Sequence, residues 1–472
     1  MRTGTDLTGQ PAEEDEEGSA TPTPAAEAGS SSAIQTAPKP AAGASTEPSA
    51  ASAGGGGTTA TATPAAPSAP RRGRTGGLAP LASPGYRYLF IGTTLTMAGY
   101  FAQVVAQGWL IYDLTGSPTW LGIVSFANGI PMLVLALPAG VLVDRLDRRK
   151  VLIFGQAMTA LVTFVLAGLI VSGLVQAWHV AVLTFLAGSF FVLIIPARQA
   201  LLPTVVERPA LGAAIALNSA GTNFGRVIGP SLAGLAIAAF GAAASFVLQG
   251  VGFLGSLVCA MLLPKHAASS RPRSRSPFQS LLEGIQYVWR DPTVFALMLL
   301  QAIPAFLIMP YNQLLPIFAR DILHAGPEGL GTLMTVMGVG SVLGSVIVVA
   351  MPPRRQFTFL FVALVGLALL LVAFSLSTSL LLSIGIMALI GVAQSIYLAT
   401  NNTLVQLAVP DALQGRVMSV YMTTWGLMPL GALPQGILAD WFGAPVVLGG
   451  VGLLSALIVV VMVARNPALR RL

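Results

Sequence analysis

Arg226 carries the most chemical consequence of any residue in this 472-residue chain, because it stands in the middle of an apolar run and not at its end. A guanidinium keeps its charge, so deep inside a nonpolar stretch it must face a polar interior or a wet cavity. Asn218, Thr222 and Arg226 recur every four residues and share one helical face, with Asn223 beside them. Such a stripe suits the binding of an anionic or carbonyl-rich group, or gating. Pairing of Arg226 with backbone carbonyls is the purely structural alternative. No carboxylate sits at comparable depth in any apolar run; Asp113 and Asp440 lie near run ends.

Two further polar pairs are buried in apolar sequence. Gln103 and Gln107 are four residues apart on one face, and Asn312 and Gln313 are adjacent in a later run. Each can contact a ligand or join helices by hydrogen bonds. A different chemistry sits at Gly140-Val-Leu-Val-Asp144-Arg145-Leu-Asp147-Arg148-Arg149-Lys150, where six charges occupy seven residues. Gly140 would let the flanking helices approach closely. Asp144 with Arg145, Arg148 and Arg149 could form a charged latch against a helix end elsewhere in the molecule. Positive charge alone would serve as a topology anchor, but that leaves Asp144 and Asp147 unexplained.

Enzyme chemistry is not expected. No nucleophile and base stand at a recognisable spacing, the three histidines (His179, His266, His324) share no metal-ligand spacing, and no cofactor motif occurs. The single cysteine, Cys259, lies in an apolar run and reads as a small buried residue.

These residues are positioned by membrane-crossing helices. Only 9% of residues are charged and 54% are hydrophobic, with a mean hydropathy of +0.77, whereas soluble domains carry roughly 25% charged residues. Continuous apolar runs of about 20 residues are long enough to cross a hydrocarbon core as helices, and they lack the alternation of a β-barrel. Twelve are expected, at 88–111, 119–143, 151–173, 178–199, 213–238, 242–263, 292–318, 328–351, 357–376, 379–402, 417–439 and 444–464. They fall into an N-terminal six-helix bundle (86–263), a basic linker (264–291) holding Arg271, Arg273, Arg275 and a surface-lying helix, and a C-terminal six-helix bundle (292–472). Residues 1–85, rich in Ala, Gly, Pro, Ser and Thr, are expected to be a disordered cytoplasmic tail.

Charge sets the expected orientation. Residues 1–70 hold two basic residues (Arg2, Lys39) against eight acidic ones, a net charge of −6, while the remainder is strongly basic. All basic residues beyond 70 except Arg226 and Arg320 fall on one side of the twelve spans, which places both termini and the tail in the cytoplasm. The excess sits beside membrane spans, so lipid headgroups account for it and nucleic acid is not an expected partner. An internal repeat supports two equivalent halves: an offset of 202 places Gly229 on Gly431, Gly234 on Gly436, Phe240 on Phe442 and Gly241 on Gly443.

Gly225, Gly229, Pro230 and Gly234 complete the picture. Gly221, Gly225 and Gly229 make a smooth face for close helix packing, and Pro230 removes one backbone hydrogen bond. The spacing Gly225-x3-Gly229-Pro230-x3-Gly234 resembles the fifth-helix motif of proton-coupled exporters in the major facilitator superfamily. The 140–149 segment resembles that superfamily's loop motif between helices two and three, with Asp147 where many members have Gly. Leu114-Thr-Gly-Ser-Pro118, Pro196-Ala-Arg198-Gln-Ala-Leu-Leu-Pro203 and Gln414-Gly-Arg416-Val-Met-Ser419 are similar to the siderophore-exporter and macrolide-efflux branch. The resemblance covers about residues 86–466. It implies a monomer in the cytoplasmic membrane that exports a siderophore-like or antibiotic-like small molecule by alternating access, in exchange for protons. A nutrient importer of the same fold, and a membrane subunit or sensor that transports nothing, are the competing readings. The fourth span lacks the mid-membrane Arg-Gln-Gly linked with proton transfer in many drug exporters, and Arg198 sits nearer the cytoplasmic end. The proton-carrying residue is therefore unassigned, with Asp144 the nearest candidate.

Overall fold

The computed structural model describes residues 77–264, 277–352 and 355–466, without the side chains of Leu137, Asp144 and residues 277–280. The expected disordered tail up to residue 76, and the linker stretch with Arg271, Arg273 and Arg275, lie outside the described residues. Every described element is helical. That follows from the solvent: in hydrocarbon each backbone N–H and C=O must be satisfied within its own segment.

The helices run in the order α1 (Pro84–Thr115), α2 (Pro118–Arg145), α3 (Arg148–Val171), α4 (Ala177–Val205), α5 (Leu211–Phe240), α6 (Ala242–Met261), α7 (Pro277–Arg290), α8 (Pro292–Leu307), α9 (Leu315–Ile317), α10 (Gly326–Val349), α11 (Gln356–Ser375), α12 (Leu380–Ala408), α13 (Asp411–Thr423), α14 (Leu427–Phe442) and α15 (Ala444–Arg465). Local signals set their ends. Ser83 caps α1 ahead of a proline, Asp147 caps α3 by accepting from the amides of Arg149 and Lys150, and Asp291 caps α8 in the same way. Gly241 and Gly443, matched by the internal repeat, both sit at φ 83° and end α5 and α14.

Eleven described segments are long and apolar enough to cross a membrane. The eleventh of the spans expected from sequence, 417–439, is two helices, α13 and α14, joined by a 3-10 turn at Thr424–Gly426. Pro429 has no N–H for the Trp425 carbonyl one turn back, and its ring crowds that carbonyl, so the α-helical ladder breaks there. The seventh span is also discontinuous: α8 gives way to a 3-10 turn at Met309–Gln313, then α9, then a π turn at Phe318–Ile322. Pro304, Pro310 and Pro316, six residues apart, each remove a ladder bond. Gln435 on α14 donates to two of the released carbonyls, Phe306 O at 3.5 Å and Leu307 O at 2.8 Å.

Within the N-terminal half α1 packs on α5 and α6, α2 on α4, and α3 on α4 and α6; α10, α11, α12 and α15 form the corresponding set in the other half. The halves meet along α2–α14 and α5–α10. Both crossings use the same sequence device. Pro118-Thr-Trp-Leu-Gly122 opens α2 and Pro327-Glu-Gly-Leu-Gly331 opens α10. A Cβ at Gly436 would lie 2.6 Å from the Pro118 carbonyl oxygen, and one at Gly234 would lie 2.8 Å from that of Pro327. Only a residue without a side chain lets these backbones touch. One large apolar core joins the C-terminal half to residues such as Ile111, Leu121, Ala233 and Ile237 near these crossings. A second, separate core at the opposite end of the N-terminal half gathers Tyr86, Val151, Ala197 and Leu263. The halves are therefore fused at one end and in the middle, and independently packed at the other.

Candidate functional site between the two halves

Arg226 occupies the midpoint of α5, where that helix faces α10. Its guanidinium donates from Nη1 to Ser341 Oγ at 3.4 Å and lies over the Phe101 ring, 5.2 Å from the centroid. That distance is within cation–π range. Tyr100 stands edge-on to Phe101 at 5.5 Å and stacks on Phe191 of α4 at 4.8 Å. The Tyr100 and Tyr311 phenols are close enough to interact electrostatically with the guanidinium, and Tyr311 is fully buried with its hydroxyl on the Met337 sulfur. Arg226 Nε is buried and makes no hydrogen bond. Among the described residues no carboxylate reaches this depth, so an aromatic-walled cation sits on the seam between the halves with spare donor capacity.

The rest of the α5 stripe points the same way with less ordering. Thr222 donates back to the Asn218 carbonyl at 3.0 Å, while the side chains of Asn218 and Asn223 are half-buried and have no partner among the described residues. Gln107, buried and bonded to Thr184, lines a small recess with Ser125, Asn128 and Gln313, with room for about one water molecule. Gln103 is turned elsewhere: its carbonyl oxygen accepts from Gln249 at 2.6 Å inside the N-terminal half. Asn312 donates to Met309 O at 3.3 Å and leaves its own oxygen buried and unpartnered. The structure thus groups the α5 residues at one place and Gln107 with Gln313 at another, and sets Gln103 and Asn312 apart from both.

Gly225, Gly229, Pro230 and Gly234 hold this seam. A Cβ at Gly225 would lie 2.7 Å from Ala98 N on α1, Gly229 abuts the Ala98 carbonyl, and Gly234 meets Gly331 on α10. Pro230 frees the Arg226 carbonyl, which would be 3.3 Å from a Cβ at Gly338. The short residue at 338 is what admits it.

Toward the fused end, polar groups join the halves. Arg320 pairs with Asp113 at 3.1 Å and lies 5.7 Å from the Tyr112 ring centroid. Tyr112 donates to Asp321, and Asp440 accepts from Ser117 Oγ and Thr119 N, each at 2.9 Å. Sequence reasoning did not assemble this cluster, although Arg320 was visible as the one loop arginine on the sparsely basic side. Tyr100, Phe101, Phe191, Tyr311 and Ser341 were missed as well, because aromatics in apolar runs look like any other core residue.

In this conformation the charged turn between α2 and α3 bonds within its own half. Arg148 donates to Ala200 O at 3.2 Å, and Arg149 donates to Ala260 O at 3.2 Å and to Met261 O, so both arginines tie the ends of α4 and α6 within their own half. Arg145 is exposed. The side chain of Asp144 lies outside the described residues. Gly140 does not serve close approach of α2 and α3, since a Cβ there would meet nothing within 4 Å.

A helical membrane protein of two pseudo-equivalent halves, sealed at one end around a mid-depth cation, has the build of a transporter. Residues 75–471 match the family model described as transmembrane secretion effector, and the chain belongs to that family of the major facilitator superfamily. It is 28% identical to the staphyloferrin A transporter of Staphylococcus aureus over 76% of this chain and 90% of that protein. It is 30% identical to the multidrug efflux pump Tap of Mycolicibacterium fortuitum, over 73% and 87%. The nucleoside transporter NupG superposes with a TM-score of 0.68 at 13% identity, covering 81% of this chain and all of that one, which supports the fold alone.

Proposed function

We propose that this chain exports a small organic molecule, siderophore-like or antibiotic-like, across the cytoplasmic membrane by alternating access, with protons as the exchanged ion. The observation that carries the reading is Arg226: a desolvated cation on the seam between the halves, with a free donor and no carboxylate partner among the described residues. A charge left in that position on a lipid-embedded scaffold is costly unless something polar enters to meet it. Relatives named for siderophore transport and drug efflux favour outward movement, as does the glycine–proline crossing of α5 on α1.

With both termini in the cytoplasm, the fused end is extracellular and this structure is closed to the outside. Asn218, Thr222, Asn223, Gln107 and Gln313 are then the side chains that join Arg226 in contacting or gating the substrate, while Gln103 and Asn312 hold the helices around it. Release outward requires the Gly122–Gly436 and Gly331–Gly234 crossings to part. Asp144 and the arginines after it would approach the opposite half as the cytoplasmic end shuts.

Inverted membrane vesicles energised with an inward-acid gradient provide the test. Vesicles bearing the protein should accumulate a substrate chosen from carboxylate siderophores and macrolides, and the uptake should collapse with a protonophore. Uptake confined to right-side-out vesicles would refute the direction, and uptake indifferent to the protonophore would refute the coupling.

A further inference from the structure

Arg198 is a second guanidinium within the fold, more deeply buried than Arg226, and the reading above gives it no work. It is 7% exposed, its Nη2 is fully enclosed without a hydrogen bond, and no ion pair reaches it among the described residues. It faces a small pocket inside the N-terminal half, lined by Tyr88, Gly92 and Thr93 of α1, Leu152 of α3, and Ser256 and Cys259 of α6. The position is seven residues before the end of α4, about 10 Å in from that end at 1.5 Å per residue.

The other half shows what a self-sufficient version of this place looks like. α4 and α12 are both 29 residues long and start 203 apart, which sets Arg198 against Asn401. α1 and α8 both begin at a proline behind a capping Ser or Asp, 208 apart, which sets Thr93 against Gln301. In the C-terminal half Gln301 accepts from the hydroxyls of Tyr397 at 2.9 Å and Tyr421 at 3.1 Å and from Asn401 at 3.4 Å. The N-terminal half replaces the neutral Asn by Arg and the long Gln by Thr. The Thr93 and Ser256 hydroxyls beside it are already engaged: Thr93 donates to Leu89 O, and Ser256 donates to Gly92 O and accepts from Thr96. A permanent cation has been introduced together with a void beside it.

We propose that this pocket is an anion site, in which Arg198 receives an oxygen of a phosphate group. The void has room for about one such atom, so the rest of the phosphate stays at the pocket mouth beside Tyr88. A guanidinium with several free donors is suited to that geometry. The phosphate can belong to an anionic phospholipid headgroup or be inorganic phosphate.

The test uses the full chain in phosphatidylcholine nanodiscs. Its unfolding midpoint is followed as phosphatidylglycerol is introduced and, separately, as inorganic phosphate is added. The wild type should be stabilised by at least one probe, and the responding probe identifies the source. Arg198→Gln should weaken that response at least tenfold in apparent affinity. Thr93→Gln, which copies the residue of the opposite half and fills the pocket while keeping the charge, should do the same, and it decides the matter if Arg198→Gln does not fold. Arg87→Gln, removing an exposed cation nearby on α1, should respond like the wild type. A wild type indifferent to both probes, or Thr93→Gln and Arg198→Gln responding as fully as the wild type, would overturn the proposal.

Discussion

The N-terminal half crosses the bilayer with unbroken helices and carries the buried charge, whereas the C-terminal half breaks its two corresponding helices and stays neutral. α1 and α5 run without interruption through 32 and 30 residues. Their counterparts, α8 with α9 and α13 with α14, are interrupted by 3-10 and π turns at prolines. Arg198 is buried and Arg226 half-buried in the first half; in the second, Gln301, Asn401 and Gln435 are the buried amide side chains. A rigid charged half working against a jointed neutral one divides the labour. On the function proposed above, one would hold the cation at fixed depth for the substrate, and the other would supply the places where backbone angles change.

Removing the charge is the strongest way to break that comparison. Arg226→Ala should lower transport in inverted vesicles by tenfold or more while the protein still reaches the membrane. Arg226→Lys should recover only part of the rate, because an ammonium cannot serve Ser341, the Phe101 face and a substrate together. Unchanged transport by the alanine variant would take Arg226 out of the mechanism.

Next comes the seam itself. Gly436→Val puts a side chain against the Pro118 carbonyl and should disfavour closure of the fused end by about 1–3 kcal/mol, the usual scale of overpacking. Cysteine pairs across the fused end would then cross-link more slowly, and wild-type cross-linking would refute the close crossing. Pro429→Ala restores the missing N–H and should straighten α13 into α14, slowing turnover several-fold with little change in apparent affinity. A faster cycle would show that the joint is incidental. The smallest effect is expected from Arg320→Gln. Its partner Asp113 is 57% exposed and the pair is half in solvent, so the loss should be about 0.2–1 kcal/mol, read as slightly greater labelling from outside.

Much of this was visible in the sequence, for reasons that can be stated residue by residue. Hydropathy gives the spans because lipid demands it, and Gly225, Gly229 and Gly234 announce close packing because few other constraints place small residues four or five apart. Arg226 was conspicuous by cost. The broken helices escaped notice because apolar counting does not register a lost ladder bond, and Pro230 leaves α5 helical while Pro429 interrupts its counterpart. Arg198 looked too close to a helix end to matter; only its unfilled surroundings distinguish it. The cluster of Tyr112, Arg320, Asp321 and Asp440 joins residues more than 200 positions apart, which no local pattern can pair.

The duplicated crossing has a mechanical corollary. Because Pro118 over Gly436 and Pro327 over Gly234 are copies of one joint on either side of the pseudo-axis, neither can separate while its twin stays engaged without shearing the shared apolar core. Opening should therefore be all-or-none, with two clasps releasing in a single step. Damage to one would loosen both, so an outward leak should arise from a lesion on either side alone.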